Sequence, residues 1–310
     1  MAVLTRRNLL AGAAALPLSI SSISLLAAAK QPTIRRVLWA ANVRSKPLDE
    51  RIQAAMAGGF THMSLFPIDI KSWESQGTPL KQIKARLDAA GLKILAIDPY
   101  TQWAPRWALP EGYGADYLSF VNFSEADVFR MADGLEAETI NCVEPFGVKY
   151  ETSELIDALG RHTEQAQKRG LKVTLEFMPI SGIFDLKPAW EVVKAVNSPT
   201  LGLTFDTWHY FRSKPDDALL RTIPGEKIFE IQLADAKQAL RGTNLVEDLL
   251  RYRMLPGEGE FDIKGVVSTL RDIGAYRSVG PEVFADAMDA LPAIEAGRKC
   301  GVSLTKFISI

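Results

Sequence analysis

The chain has 310 residues, 47% of them hydrophobic and 24% charged, with 36 basic against 37 acidic side chains and a formal charge of −1. That composition excludes a disordered or fibrous chain, and the charge balance excludes the broad basic surface that binds nucleic-acid backbones. The two cysteines, Cys142 and Cys300, are too few and too far apart for a disulfide scaffold or a thiolate metal site. Cys142 lies in the apolar run TINCVEPF, where a buried free thiol is expected.

Residues 1–29 join an arginine pair to an apolar stretch and a small-residue step, the layout of an export signal. Within them TRRNLL, residues 5–10, resembles the twin-arginine export motif, which implies a folded cargo and a periplasmic destination. An amino-terminal membrane anchor is the alternative. Cleavage after Ala29 would leave residues 30–310 as one domain, the length of an α/β barrel of roughly 250 residues. It removes Arg6 and Arg7 but no acid, so the formal charge moves from −1 to −3. No second long apolar run follows, so the mature chain is expected to be free of the membrane.

From about residue 34, short apolar runs alternate with longer amphipathic ones, as βα units of a parallel sheet require. Strands are predicted at Arg36–Ala41, His62–Phe66, Lys93–Asp98, Thr139–Val143, Lys172–Phe177, Leu201–Asp206, Ile228–Ala234 and Ser278–Val283. Glycine ends several intervening helices, in AAMAGGFTHM, LDAAGLKIL, QAQKRGLKV and LRDIGAYRSV, where a carboxyl cap needs positive φ. Eight strands and this repeated punctuation predict a single-domain (β/α)8 TIM barrel. The longest irregular stretch follows the seventh strand and contains a predicted helix from about Asn244 to Tyr252; loops at that end of a barrel carry function.

Strand alternation sorts the last four strands into two faces. Val173, Leu175, Phe177, Leu201, Leu203, Phe205, Phe229, Ile231, Leu233, Val279, Pro281 and Val283 form apolar faces for the helices. The opposite faces point to the barrel axis and present Glu176, Asp206, Gln232 and Glu282 near the strand ends. Converging carboxylates raise one another's pKa unless a cation compensates them, and four oxygen donors without a thiolate suit a hard divalent ion. Mn²⁺ or Mg²⁺ is expected, with Zn²⁺ or Co²⁺ as substitutes.

Glu176 in LEFMP, DTWH at 206–209, Gln232 in EIQLADA, PGEGEFD at 256–262 and Glu282 in GPEVF resemble the xylose isomerase-like barrels. More narrowly, they are similar to the sugar phosphate isomerase/epimerase group with ketose 3-epimerases, hydroxypyruvate isomerase and inosose dehydratase. The resemblance spans the mature chain and is densest from Glu176 to Glu282. It implies Glu176, Asp206, Gln232 and Glu282 as metal ligands, Glu176 and Glu282 as the acid/base pair, and His209 as a substrate contact. Many epimerases have histidine where Gln232 stands; glutamine resembles the hydroxypyruvate isomerase branch. Asp235 is either a partner of this shell or a capping or solvent-facing residue.

The expected chemistry is proton removal beside the carbonyl of a sugar-like α-hydroxycarbonyl compound, through an enediolate, giving isomerisation or epimerisation. The same first step followed by loss of a β-hydroxyl gives a dehydratase, and an exported binding protein retaining the barrel is a third reading. Trp39, Phe66, Tyr100, Trp103, Trp107, Trp208 and Phe211 fall at predicted strand ends, where rings stack on sugars or simply pack loops. Trp39, Trp103, Trp208 and Arg253 are the substrate-binding candidates; Arg251 and Arg253 either meet an anionic group or lie in solvent on the inserted helix. No lysine ends a strand, no GxxxxGK phosphate loop occurs, and three histidines are too few for the multi-zinc endonuclease branch. The partner implied is a small carbohydrate-like molecule, and a homo-oligomer is compatible with the sequence.

Overall fold

A computed structural model describes residues 34–108 and 114–308; the export signal expected at residues 1–29 lies outside them. Eight parallel strands close into a barrel in chain order. They are β1 (Arg35–Leu38), β2 (His62–Leu65), β3 (Lys93–Tyr100), β4 (Thr139–Cys142), β5 (Lys172–Glu176), β6 (Leu201–Asp206), β7 (Ile228–Leu233) and β8 (Ser278–Pro281). Helices cover the outside, and one apolar core fills the layer between them and the strands. The four glycines that end helices before strands, Gly59, Gly91, Gly170 and Gly274, have φ between +68° and +76°, a region costly for residues with a Cβ.

Strand β1 stops three residues earlier than its apolar run, at Leu38. Asn42 supplies the reason. Its Nδ2 donates to Trp39 O at 3.0 Å and Pro281 O at 2.6 Å, while its Oδ1 accepts from Val283 N at 3.1 Å. This turns Ala40–Val43 into a 3₁₀ helix across the end of β8. The β1/β8 closure also needs Gly280, because a Cβ there would stand 1.7 Å from Val37 O.

The expected faces hold with one exception. Leu203 pairs with Ile228 and Thr204 with Glu230, so Phe229 has no opposite residue in β6. Such a bulge breaks the two-residue alternation. The ring of Phe229 accordingly packs beside Gly202 and lines a cavity at the amino-terminal mouth, instead of joining Ile231 and Leu233 beneath the helices. The inserted segment after β7 contains the helix Leu245–Arg251, capped by Asn244 Oδ1 on Glu247 N at 2.9 Å. Both cysteines are buried and free, and no helix among the described residues is long and apolar enough to cross a membrane.

Candidate metal centre

Strand β6 delivers Asp206 to the axis and ends there because Asp206 also caps the next helix, Thr207–Arg212. Its Oδ1 accepts from Trp208 N at 2.6 Å and His209 N at 3.1 Å, which satisfies amides that a helix start leaves open. Its Oδ2 is left for Arg253 Nη1 at 2.6 Å. The same turn folds His209 back, so that its Nε2 lies 3.3 Å from Glu176 Oε1 and 3.7 Å from Asp206 Oδ2.

Glu176 at the end of β5 is held from below. Its Oε2 accepts from Asn141 Nδ2 at 2.6 Å; that amide also donates to Asp98 Oδ1 at 3.0 Å and accepts from Thr174 and Thr204. Glu282, just beyond β8, accepts from Gln232 Nε2 at 3.2 Å and from Arg253 Nη1 at 3.2 Å. Deeper in the barrel, Glu230 is fully buried and bonded to Thr139 and Thr204.

The electrostatics follow from burial. Burial raises Glu176, reinforced by Asp206 and opposed by Asn141 and Arg253. Burial likewise lifts Glu282 well above the usual range, with Arg253 opposing. Asp206 goes the other way: burial pushes it up, but Arg253, His209 and the helix amides together hold it below the usual range. Burial pushes the His209 imidazole down to about 3 against the pull of Asp206, so it is neutral and has a lone pair to offer.

Glu176, Asp206 and His209 offer one ligand atom each, all within 4.8 Å of one another. Gln232 Oε1 is sealed from solvent without a hydrogen-bond donor, an arrangement a coordinated cation would satisfy. Three buried carboxylates share a single arginine. The candidate site for a divalent ion is therefore Glu176, Asp206 and His209, the last expected as a substrate contact; Glu282, expected as a ligand, does not join that group and lies beside it with Gln232, bonded to Arg253.

The other sequence candidates are dispersed. Trp208 is fully buried, its ring 4.9 Å from the Arg253 guanidinium and 5.3 Å from the His209 ring. Trp103 donates to Val143 O at 3.0 Å, and Trp39 belongs to a small buried cluster with Val37, Leu95 and Ala96. Tyr100 leaves the pocket set altogether: its ring packs on His162, 4.7 Å away, in the helix layer. Arg251 is exposed and paired with Asp286 and Glu247, whereas Arg253 follows the helix and is buried. Asp235 neither joins the shell nor caps a helix; its carboxylate accepts from Ala236, Gly257 and Phe261 amides and pins the loop after β7. Sequence reasoning missed Asn141 and Asp98. The alternation Thr139, Asn141 was the signal for the first, since it shares the axial phase of Glu176.

Acidic side chains at the carboxyl ends of consecutive strands in a closed (β/α)8 barrel define the enzyme class of TIM barrels. Residues 52–302 match the protein family described as xylose isomerase-like TIM barrel, and the chain belongs to it. It is 26% identical over 253 residues to the 3-dehydroshikimate dehydratase of Pseudomonas putida, a match covering 80% of this chain and 38% of that protein. It is 30% identical over 161 residues to the inosose isomerase of Bacillus subtilis, covering 50% of this chain and 56% of the other. The chain thus spans less than two thirds of either relative. Among solved structures, the IOLI protein with a bound zinc atom superimposes with a TM-score of 0.77 at 20% identity, over 89% of this chain and 98% of that one. A fusion of a xylose isomerase-like TIM barrel with a 4-hydroxyphenylpyruvate dioxygenase superimposes at 0.75, over 89% and 43%. The likeness to the solved structures is one of fold.

Proposed function

We propose that the protein removes a proton from the carbon beside the carbonyl of a cyclic, sugar-like hydroxyketone and completes the reaction by expelling water. The observation that carries this reading is the convergence of Glu176 and Glu282 on one buried space from β5 and from the end of β8, three strands apart. Two carboxyl groups facing one buried space from different strands can exchange protons with opposite faces of a molecule held between them. Glu176 and Glu282 would serve as the base and acid on the two faces of the ring.

A divalent ion held by Glu176, Asp206, Gln232 and Glu282, Mn²⁺ or Mg²⁺ by its oxygen donors, would supply positive charge to the carbonyl oxygen when the adjacent proton leaves. Neutral His209 is placed to hydrogen-bond a substrate oxygen. Arg253, backed by Trp208, is the group for an anionic substituent. Elimination is favoured because the match to the dehydratase runs over 80% of the chain. Isomerisation or epimerisation is the second reading, supported by the shorter but 30% identical match to an inosose isomerase. A periplasmic location rests on TRRNLL at residues 5–10, and amino-terminal sequencing of exported protein would test it.

The test is to incubate Mn²⁺-loaded protein in D₂O with 3-dehydroshikimate, inososes and ketoses, following NMR spectra. A new unsaturated or aromatic product is expected. Deuterium incorporation with an unchanged skeleton would instead establish isomerisation, and no exchange with any of them would overturn the reading.

A further inference from the structure

Asp98 faces the same buried space as the metal-ligand candidates yet belongs to none of their pairings. Its Oδ1 and Glu176 Oε2 share one amide nitrogen, that of Asn141, so the two oxygens lie at most 5.6 Å apart by bonds of 3.0 and 2.6 Å. The residue is only 5% exposed, and its Oδ2 receives no hydrogen bond from any described residue. That oxygen is not among the buried side-chain atoms left without a partner, so the small exposed part of Asp98 leaves it open to a donor from a ligand.

The position specifies that donor. Strand β3, which carries Asp98, is four strands from β7 in a ring of eight, so it forms the opposite wall from the segment that holds Arg253. The cation and the candidate metal ligands occupy the Arg253 side and the centre. The β3 wall offers a carboxyl group whose hydrogen bond comes from an amide and not from a basic side chain, which suits a neutral hydroxyl.

We propose that Asp98 is a substrate-contacting residue that selects for a ring hydroxyl on the β3 wall. Asn141 is its positioning residue, fixing Asp98 and Glu176 at a set spacing so that hydroxyl and reacting carbon are read together. This deepens the function proposed above, because it rests on a hydroxylated cyclic substrate and names the wall that recognises it.

The test measures binding, not turnover. In a Glu282→Gln background loaded with Mn²⁺, calorimetry compares an inosose, its monodeoxy analogues and 3-dehydroshikimate, with and without Asp98→Leu. Asp98→Leu is expected to weaken inosose binding about 10- to 100-fold, the effect of one hydrogen bond to a carboxyl group. One monodeoxy analogue, lacking the contacted hydroxyl, is expected to bind both proteins equally. Equal losses across all analogues, or no loss, would overturn the assignment of Asp98 while leaving the proposed function intact. Failure of every probe to bind the Glu282→Gln parent would overturn the substrate class itself, and this inference with it. Melting temperature and bound Mn²⁺ serve as controls; if Asp98→Leu does not fold, the isosteric Asp98→Asn replaces it in the same series.

Discussion

The two mouths of the barrel handle acidic side chains in opposite ways. At the amino-terminal mouth Glu138 is paired with Arg35, lies 3.5 Å from His62 Nε2, and shares a cavity of about 440 Å³ with Lys172, Lys227 and Arg277. The His62 hydrogen bond and the Arg35 charge hold its carboxyl down to about 2, against the opposing effect of burial. At the carboxyl-terminal mouth Glu176, Asp206 and Glu282 share Arg253 among them, and burial raises Glu176 and Glu282. The same residue type thus shifts in opposite directions on one scaffold. What differs is burial first, complete around Glu176 and Glu282 and partial at Glu138, and then the number of nearby cations. An end where acids are neutralised by their neighbours is finished as a structure; an end where they are not has charge left for a ligand.

The most severe test of this contrast removes one of the uncompensated acids. Glu282→Gln is expected to lower turnover about 10²- to 10⁴-fold, the range for loss of a general acid or base, with Mn²⁺ still bound by elemental analysis. Undiminished turnover would remove the functional half of the comparison. Arg253→Met attacks the single compensating cation. It leaves Asp206 and Glu282 buried without a counter-charge, so the metal-free protein is expected to lose about 3–5 kcal/mol in urea titrations, with most of it restored by Mn²⁺. A loss that Mn²⁺ does not recover would show the arginine to be purely structural.

The smallest effect is expected at the other mouth. Glu138 is partly exposed, so its pairing is worth under about 1 kcal/mol after solvent screening. Its folded pKa lies below the ordinary value of 4.5, so the stabilisation is present above pH 4.5 and is lost as pH falls towards 2. Glu138→Gln should therefore destabilise slightly at pH 7, and the difference from the parent should vanish near pH 2 in thermal melts. A difference that grows on acidification would reverse the sign of the argument.

Much of the carboxyl-terminal end was legible because β5 to β8 carry acids in strict phase with apolar residues, and period-two alternation converts phase into direction. The reasoning failed where the period fails. Phe229 sits at a bulge between β6 and β7, and Asp98 follows register shifts at β2/β3 and within β3/β4, so counting residues does not give its direction. Arg253 was a candidate from the sequence, but its burial was not separable there from the exposure of Arg251. It lies two residues beyond Arg251, yet the helix ends at Arg251 and the chain runs on into an isolated bridge between Asp235 and Met254, which turns one arginine inward and leaves the other in solvent. Asn141 was readable in principle. An amide in axial phase attracts less notice than an acid, although here it holds two of them.

Asp235 closes a loop of chain upon itself: its backbone pairs with Met254 while its carboxylate grips Gly257 and Phe261. Residues 237–251 run between the two sides of this clasp, and the carboxyl half of the segment is tied to the barrel as well, by Asp248 to Arg212 and by Leu249 O to Arg253 Nε. For protein engineering this makes the exposed stretch 239–244 an exchangeable cassette. Its length and sequence can be varied to reshape the rim, or donated from another barrel, while Arg253 keeps its seat against Asp206. Cutting the clasp with Asp235→Ala would couple every such exchange to the arginine.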